Sequence, residues 1–133
     1  MALPAELAQA IERETSRFNS AELRRAAAEL SQYYRDDGGC KQLVASPMER
    51  AAYLLTRLPA TFAAISAVLR EIKARVRDYR PRSLLDLGAG PGTAAWAASE
   101  IFPEIERVCL VERDRASIAT GETLAAHASS ATL

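Results

Sequence analysis

The stretch "SLLDLGAGPGTAAWAA", residues 83–98, sets three glycines and a proline between a short apolar run and an alanine-rich one. "SLLDL" is too brief for a helix and suits a buried parallel strand, bounded by Pro81 on one side and glycine on the other. The alanines that follow suit a helix whose small side chains allow close approach to a sheet. A glycine-rich turn between strand and helix bends tightly. Without β-carbons it also lets a ligand lie against the main chain, at the strand's carboxyl end, where open α/β sheets bind their ligands.

Outward toward the carboxyl end, Pro103 closes that helix and "RVCLVE", residues 107–112, predicts a second buried strand. "DRASIATGETLAAHA" then predicts a helix capped by Asp114, with Gly121 as a weak point inside it. Toward the amino end, Phe62, Ile65, Leu69, Ile72 and Val76 alternate steps of three and four, the seam of a helix packed on a core. Ser46, Pro47 and Glu49 give a start signal, and "SPMERAAYLLTRL" predicts a helix that runs until Pro59. Asn19 or Ser20 caps an earlier helix, with Glu22 completing an Asn-x-x-Glu box and Leu23, Ala27, Leu30 and Tyr34 as its apolar stripe; "DDGGCK", residues 36–41, ends it. The first helix covers residues 4–17, with Pro4 in its first turn. Helices followed by strand, helix, strand, helix predict an α/β fold with right-handed crossovers, divided into a helical region, 1–80, and a sheet-bearing region, 81–133.

The 133 residues are 49% hydrophobic and 26% charged with zero formal charge, the profile of a soluble globular chain rather than a disordered one. No apolar run approaches the ~18 residues of a membrane span. The acidic amino end, with Glu6, Glu12 and Glu14, resembles neither a secretory signal nor a transit peptide, so a cytoplasmic protein is expected. Cys40 and Cys109 lack metal-site or disulfide spacing and are expected as free thiols, with no metal. His127 reads as a solvent-facing helix residue without a role. Residues 70–82 hold six cations, Arg70, Lys73, Arg75, Arg77, Arg80 and Arg82, against Glu71 and Asp78. Such a segment is either a solvated helix face or a surface for an RNA backbone.

Three ligand classes compete for the loop Gly88-Ala89-Gly90-Pro91-Gly92-Thr93. A nucleoside triphosphate calls for Gly-x-x-x-x-Gly-Lys-Ser/Thr, but no lysine follows Lys73. A dinucleotide calls for a third glycine where Thr93 stands, and Pro91 removes a backbone N–H that phosphate oxygens need. What remains is Gly-x-Gly-x-Gly preceded by Asp86, with Glu112 ending the next strand 20 residues past Gly92. That position suits a carboxylate accepting from both hydroxyls of an adenosine ribose, while Asp86 can neighbour a positive charge. S-adenosylmethionine has the ribose, the positive charge and no pyrophosphate. The alternative is a structural turn in which Glu112 serves the following helix.

The loop resembles motif I of the class I methyltransferases, and Glu112 their ribose-binding acidic residue. With "YLLTRLPATFAAISAVLREI" ahead of "RPRSLLDLGAGPGTAAWAASEIFPEIERVCLVERD", the chain resembles the small-ribosomal-subunit-associated methyltransferase-like family, mitochondrial assembly factors and their bacterial relatives. Tyr53 to Thr61, Trp96 and the "VERD" ending carry the likeness, which extends from the amino-terminal helices to about residue 115. It implies the first β-α-β-α units of a Rossmann-like methyltransferase fold, incomplete here because the class I sheet is wider than two strands. It implies Asp86, Gly88, Ala89, Gly90, Gly92, Glu112 and Arg113 as S-adenosylmethionine-binding residues, with base-orienting residues beyond Leu133 and no catalytic residue assigned. The expected function is cofactor binding for methylation of small-subunit ribosomal RNA. The alternatives are an assembly factor that retains the fold without catalysis, or a small-molecule methyltransferase. The small subunit or its RNA is the expected partner, with neither membrane nor DNA. Arg57 either closes the pocket, touches RNA or is simply exposed; Trp96, Tyr33 and Tyr34 read as packing residues.

Overall fold

The computed structural model describes residues 2–36 and 46–127. Three helices, α1 (Ala5–Thr15), α2 (Ser20–Asp36) and α3 (Pro47–Arg75), precede β1 (Ser83–Leu87), α4 (Thr93–Ile101), β2 (Arg107–Val111) and α5 (Arg115–His127). The architecture is α/β, as predicted. Cys40 and the loop around it lie outside the described residues.

Helix starts follow local chemistry. The Asn19 side chain accepts from the N–H groups of Ala21 and Glu22, satisfying two donors that α2 cannot use itself. At α3 the capping box is complete: Glu49 N–H donates to Ser46 Oγ and Ser46 N–H donates to the Glu49 carboxylate, both at 3.1 Å. Asp114 caps α5 by accepting from the N–H and hydroxyl of Ser117. Pro4 stands at the N-cap of α1 rather than inside its first turn.

One expectation fails at Pro59. α3 runs through it without interruption for 29 residues. The proline deprives the Leu55 carbonyl of its partner, but Leu55 lies on the exposed side of the helix, where water can take that bond. The buried side, Leu54, Leu58, Phe62 and Ser66, continues unbroken beneath it. A second expectation fails further along: the predicted seam ends at half-buried Leu69, and Ile72 and Val76 project beyond the core into solvent. By length and composition α3 could cross a bilayer, yet here it is the helix around which the core forms.

That core joins Leu7 and Ile11 of α1, Leu58 and Phe62 of α3, Trp96 and Ala97 of α4 and Leu124 of α5. It therefore crosses residue 80, and Trp96 is a packing residue as predicted. α2 lies along α3 through a smaller cluster centred on Leu23, Ala51 and Ala52. Each fully buried Leu or Phe contributes about 1.5–3 kcal/mol.

β1 and β2 pair parallel in register, Ser83 with Arg107 through Leu87 with Val111. In-register neighbours share a face, so Leu84, Asp86, Val108 and Leu110 point one way and Leu85, Leu87, Cys109 and Val111 the other. α4 packs on β1, and on the first of these faces Leu84, Asp86 and Val108 are half-buried. The second face is bare: Leu85 is 62%, Leu87 71% and Val111 49% exposed. The strands are parallel as predicted but not buried as predicted, because among the described residues helices cover one face only.

Candidate functional site

Gly88, Gly90 and Gly92 all adopt positive φ, at 77°, 55° and 83°. At Gly92 the need for glycine is conformational: it is the N-cap of α4 in left-handed conformation, which side-chain-bearing residues rarely adopt. The loop is stapled to the end of β2. Gly88 and Ala89 N–H both donate to the Val111 carbonyl, at 2.8 and 3.1 Å, and Gly92 N–H donates to the Ala89 carbonyl at 2.9 Å.

Glu112 completes that connection. Its Oε2 accepts from Gly90 N–H at 2.8 Å, while Oε1 accepts from Arg113 and Asp114 N–H at 2.7 and 2.9 Å. These bonds, that from Asp114 foremost and then that from Gly90, hold the carboxyl below the ordinary glutamate range and keep it ionised. A carboxylate offers about four acceptor positions, so one is left, on Oε2. The sequence reading anticipates bonds to both ribose hydroxyls; a ligand making both would have to displace a loop N–H.

A cavity of about 410 Å³ joins the loop to Glu112. Gly90, Pro91 and Gly92 line one side, Leu110, Val111 and Glu112 a second, and Ile118, Gly121 and Glu122 of α5 a third. Its size falls within the range of small-molecule sites, ~300–1,000 Å³. Of the residues named from the sequence, Gly90, Gly92 and Glu112 line this space. Asp86, Gly88, Ala89 and Arg113 do not; Gly88 and Ala89 act through their bonds to Val111, and Arg113 lends its N–H to Glu112.

Asp86 lies on the same sheet face as Leu110, one residue short of the end of β1. Burial, and secondarily the Glu112 charge, pushes its carboxyl above the ordinary aspartate range. The α5 contribution is absent from the sequence reading, which treats Gly121 only as a helix weak point and passes over Ile118 and Glu122. A glycine inside an otherwise regular helical stretch was the available signal.

The other candidates fall elsewhere. Arg57 stacks over the Tyr34 ring, 4.3 Å from its centroid, joining α3 to α2 away from the cavity. Tyr33 and Tyr34 meet edge to face at 5.8 Å. His127 is half-buried and its Nε2 lies 3.3 Å from Glu14 Oε1, linking α5 to α1 instead of facing solvent alone. In the basic segment Arg75 pairs with Glu71, Arg80 with Glu104 and Arg82 with Glu106, and Lys73 donates to the Ile101 carbonyl at the end of α4. Arg70 and Arg77 have no side-chain partner among the described residues. Cys109 is a free thiol on the bare face.

Comparison with known proteins identifies relatives. The family described as mitochondrial small ribosomal subunit Rsm22 matches residues 47–132. The human mitochondrial ribosome assembly protein METTL17 is 36% identical over 73 residues, which make up 54% of this chain and 16% of that relative. The chain thus spans a small part of the relative's length. The cytoplasmic expectation is overturned, since the family and the human relative are both described as mitochondrial. The chain belongs to the Rsm22 family, as the resemblance implied.

Proposed function

From its membership of this family, we propose that the protein is the S-adenosylmethionine-binding portion of a methyltransferase-like factor that works with the small ribosomal subunit. The observation that carries the reading is the cavity shared by Gly90–Gly92 and an ionised Glu112. Among the described residues its two charged lining residues, Glu112 and Glu122, are acidic and no cation lines it. It therefore suits a neutral ribose and a cationic ligand, and disfavours the phosphates of nucleotides and dinucleotides. The apolar side chains of Leu110, Val111 and Ile118 suit a base.

Asp86 fits the same reading. A carboxylate disfavoured as an anion in the free protein gains most from a nearby positive charge. Bound there, S-adenosylmethionine supplies an electrophilic methyl group. The chain's own residues bind and orient it: Glu112 through its remaining acceptor position and the loop through its shape. Methyl transfer depends on in-line positioning more than on a dedicated acid or base, and no catalytic residue is assigned to this part.

Calorimetric titration of the full natural protein with S-adenosylmethionine is the test. Binding that Glu112→Ala weakens about tenfold or more supports the reading, on the scale of lost bonds to a charged group. Absence of binding overturns it. A second reading, an assembly factor without catalysis, is favoured by the assembly role named for the human relative. Transfer of labelled methyl to small-subunit RNA by the full natural protein would decide for the enzyme; binding of the subunit without transfer would decide for the assembly factor.

A further inference from the structure

We infer that Gly121 is a positioning residue for the ligand loop: lacking a side chain, it lets α5 seat directly on the main chain of Pro91, and this contact sets the width of the cavity. The inference rests on the S-adenosylmethionine reading of that cavity. A β-carbon on Gly121 would stand 3.1 Å from the Pro91 carbonyl oxygen, 3.2 Å from its carbonyl carbon and 3.3 Å from its Cα. These are main-chain atoms, which cannot swing aside as the end of a long side chain can. Both partners of the contact line the cavity.

Nothing else in α5 calls for glycine. Among the described residues the positive-φ glycines are Gly88, Gly90 and Gly92, whereas Gly121 sits inside a regular helix, where glycine is disfavoured against alanine. Nor can α5 easily retreat. Leu124 is fully buried in the core, and His127 meets Glu14 on α1. A push from position 121 therefore falls on Pro91. Its neighbours carry the loop's fixed bonds, Gly90 N–H to Glu112 and Gly92 N–H to Ala89, so displacement of Pro91 reaches the carboxylate that faces the ligand.

The experiment compares wild type, Gly121→Ala and Gly121→Ser in the full natural protein, measuring thermal unfolding together with calorimetric affinity for S-adenosylmethionine and S-adenosylhomocysteine. Gly121→Ala is expected to lose about tenfold in affinity for both ligands while still unfolding cooperatively, because alanine's better helix propensity offsets part of the cost of the contact. Gly121→Ser should show the same loss of affinity with a lower melting temperature than Gly121→Ala, because serine lacks that helix-propensity offset. Adding Pro91→Gly to Gly121→Ala, which frees the loop to yield, should restore part of the binding. Wild-type binding that neither variant changes overturns the positioning role and leaves the pocket reading intact. No binding by wild type overturns both. Failure of both variants to fold overturns the positioning role, assigning the contact to packing alone.

Discussion

The basic segment, 70–82, and the glycine loop, 88–93, are the two local patterns in the sequence that stand out most, and the fold uses them oppositely. Half of the segment's six cations are paired with carboxylates at the surface: Glu71, Glu104 and Glu106 each take one. The loop's bonds run to the far strand, and they leave a cavity behind. A cluster of like charge is thus a poor guide to function when its counter-charges lie nearby in the fold. A cluster of glycines is a better one, because the conformations it permits are costly for any other residue.

The contrast breaks if the loop tolerates substitution as the segment should. The largest effect is expected at Gly92→Ala: left-handed backbone costs an L-residue roughly 1–2 kcal/mol, read as a lower denaturant midpoint. Smaller is Lys73→Met, the one cation of the segment that closes a helix, α4, at its carboxyl end. Its removal is expected to cost about 0.3–1 kcal/mol at low salt. Smallest is Arg82→Ala. Its pair with Glu106 is exposed on both sides, 67% and 61%, so chemical denaturation should detect about 0–0.5 kcal/mol. A larger loss at Arg82 than at Gly92 would reverse the comparison.

Titration sharpens it from another side. Glu112 has a folded pKa below its unfolded one, so its contribution to stability is present above the unfolded value and lost as pH falls through the folded one. Asp86 has the opposite sign. Its folded pKa is raised, so ionised Asp86 opposes folding at neutral pH and that cost disappears in acid. Asp86→Asn is therefore expected to raise the melting temperature slightly at pH 7, with the advantage vanishing as pH falls below the unfolded aspartate value. Equal melting temperatures at pH 7 would remove the strain assigned to this carboxyl.

Element order was legible because three of the five described helices start on a capping side chain, at Asn19, Ser46 and Asp114, and because "SLLDL" and "RVCLV" are short and bounded. What stayed illegible depends on three-dimensional context. Pro59 breaks a helix only if the freed carbonyl cannot reach water, and which side Leu55 faces is settled by packing. Burial of a strand needs covers for both faces, and hydropathy cannot say whether the second exists. Within the site, Gly90, Gly92 and Glu112 came from local spacing. Ile118, Gly121 and Glu122 depend on where α5 comes to lie beside the glycine loop, and the number of ribose hydroxyls Glu112 can serve depends on backbone donors it attracts from its own neighbours.

The uncovered side of the β1–β2 pair carries a built-in reporter. Cys109 sits amid Leu85, Leu87 and Val111, so its sulfur is open to small electrophiles for as long as that surface meets water. Alkylation at this thiol should be rapid and should slow sharply whenever any polypeptide seals the apolar sheet, turning a stopwatch on one sulfur into a measure of whether the fold has found its cover.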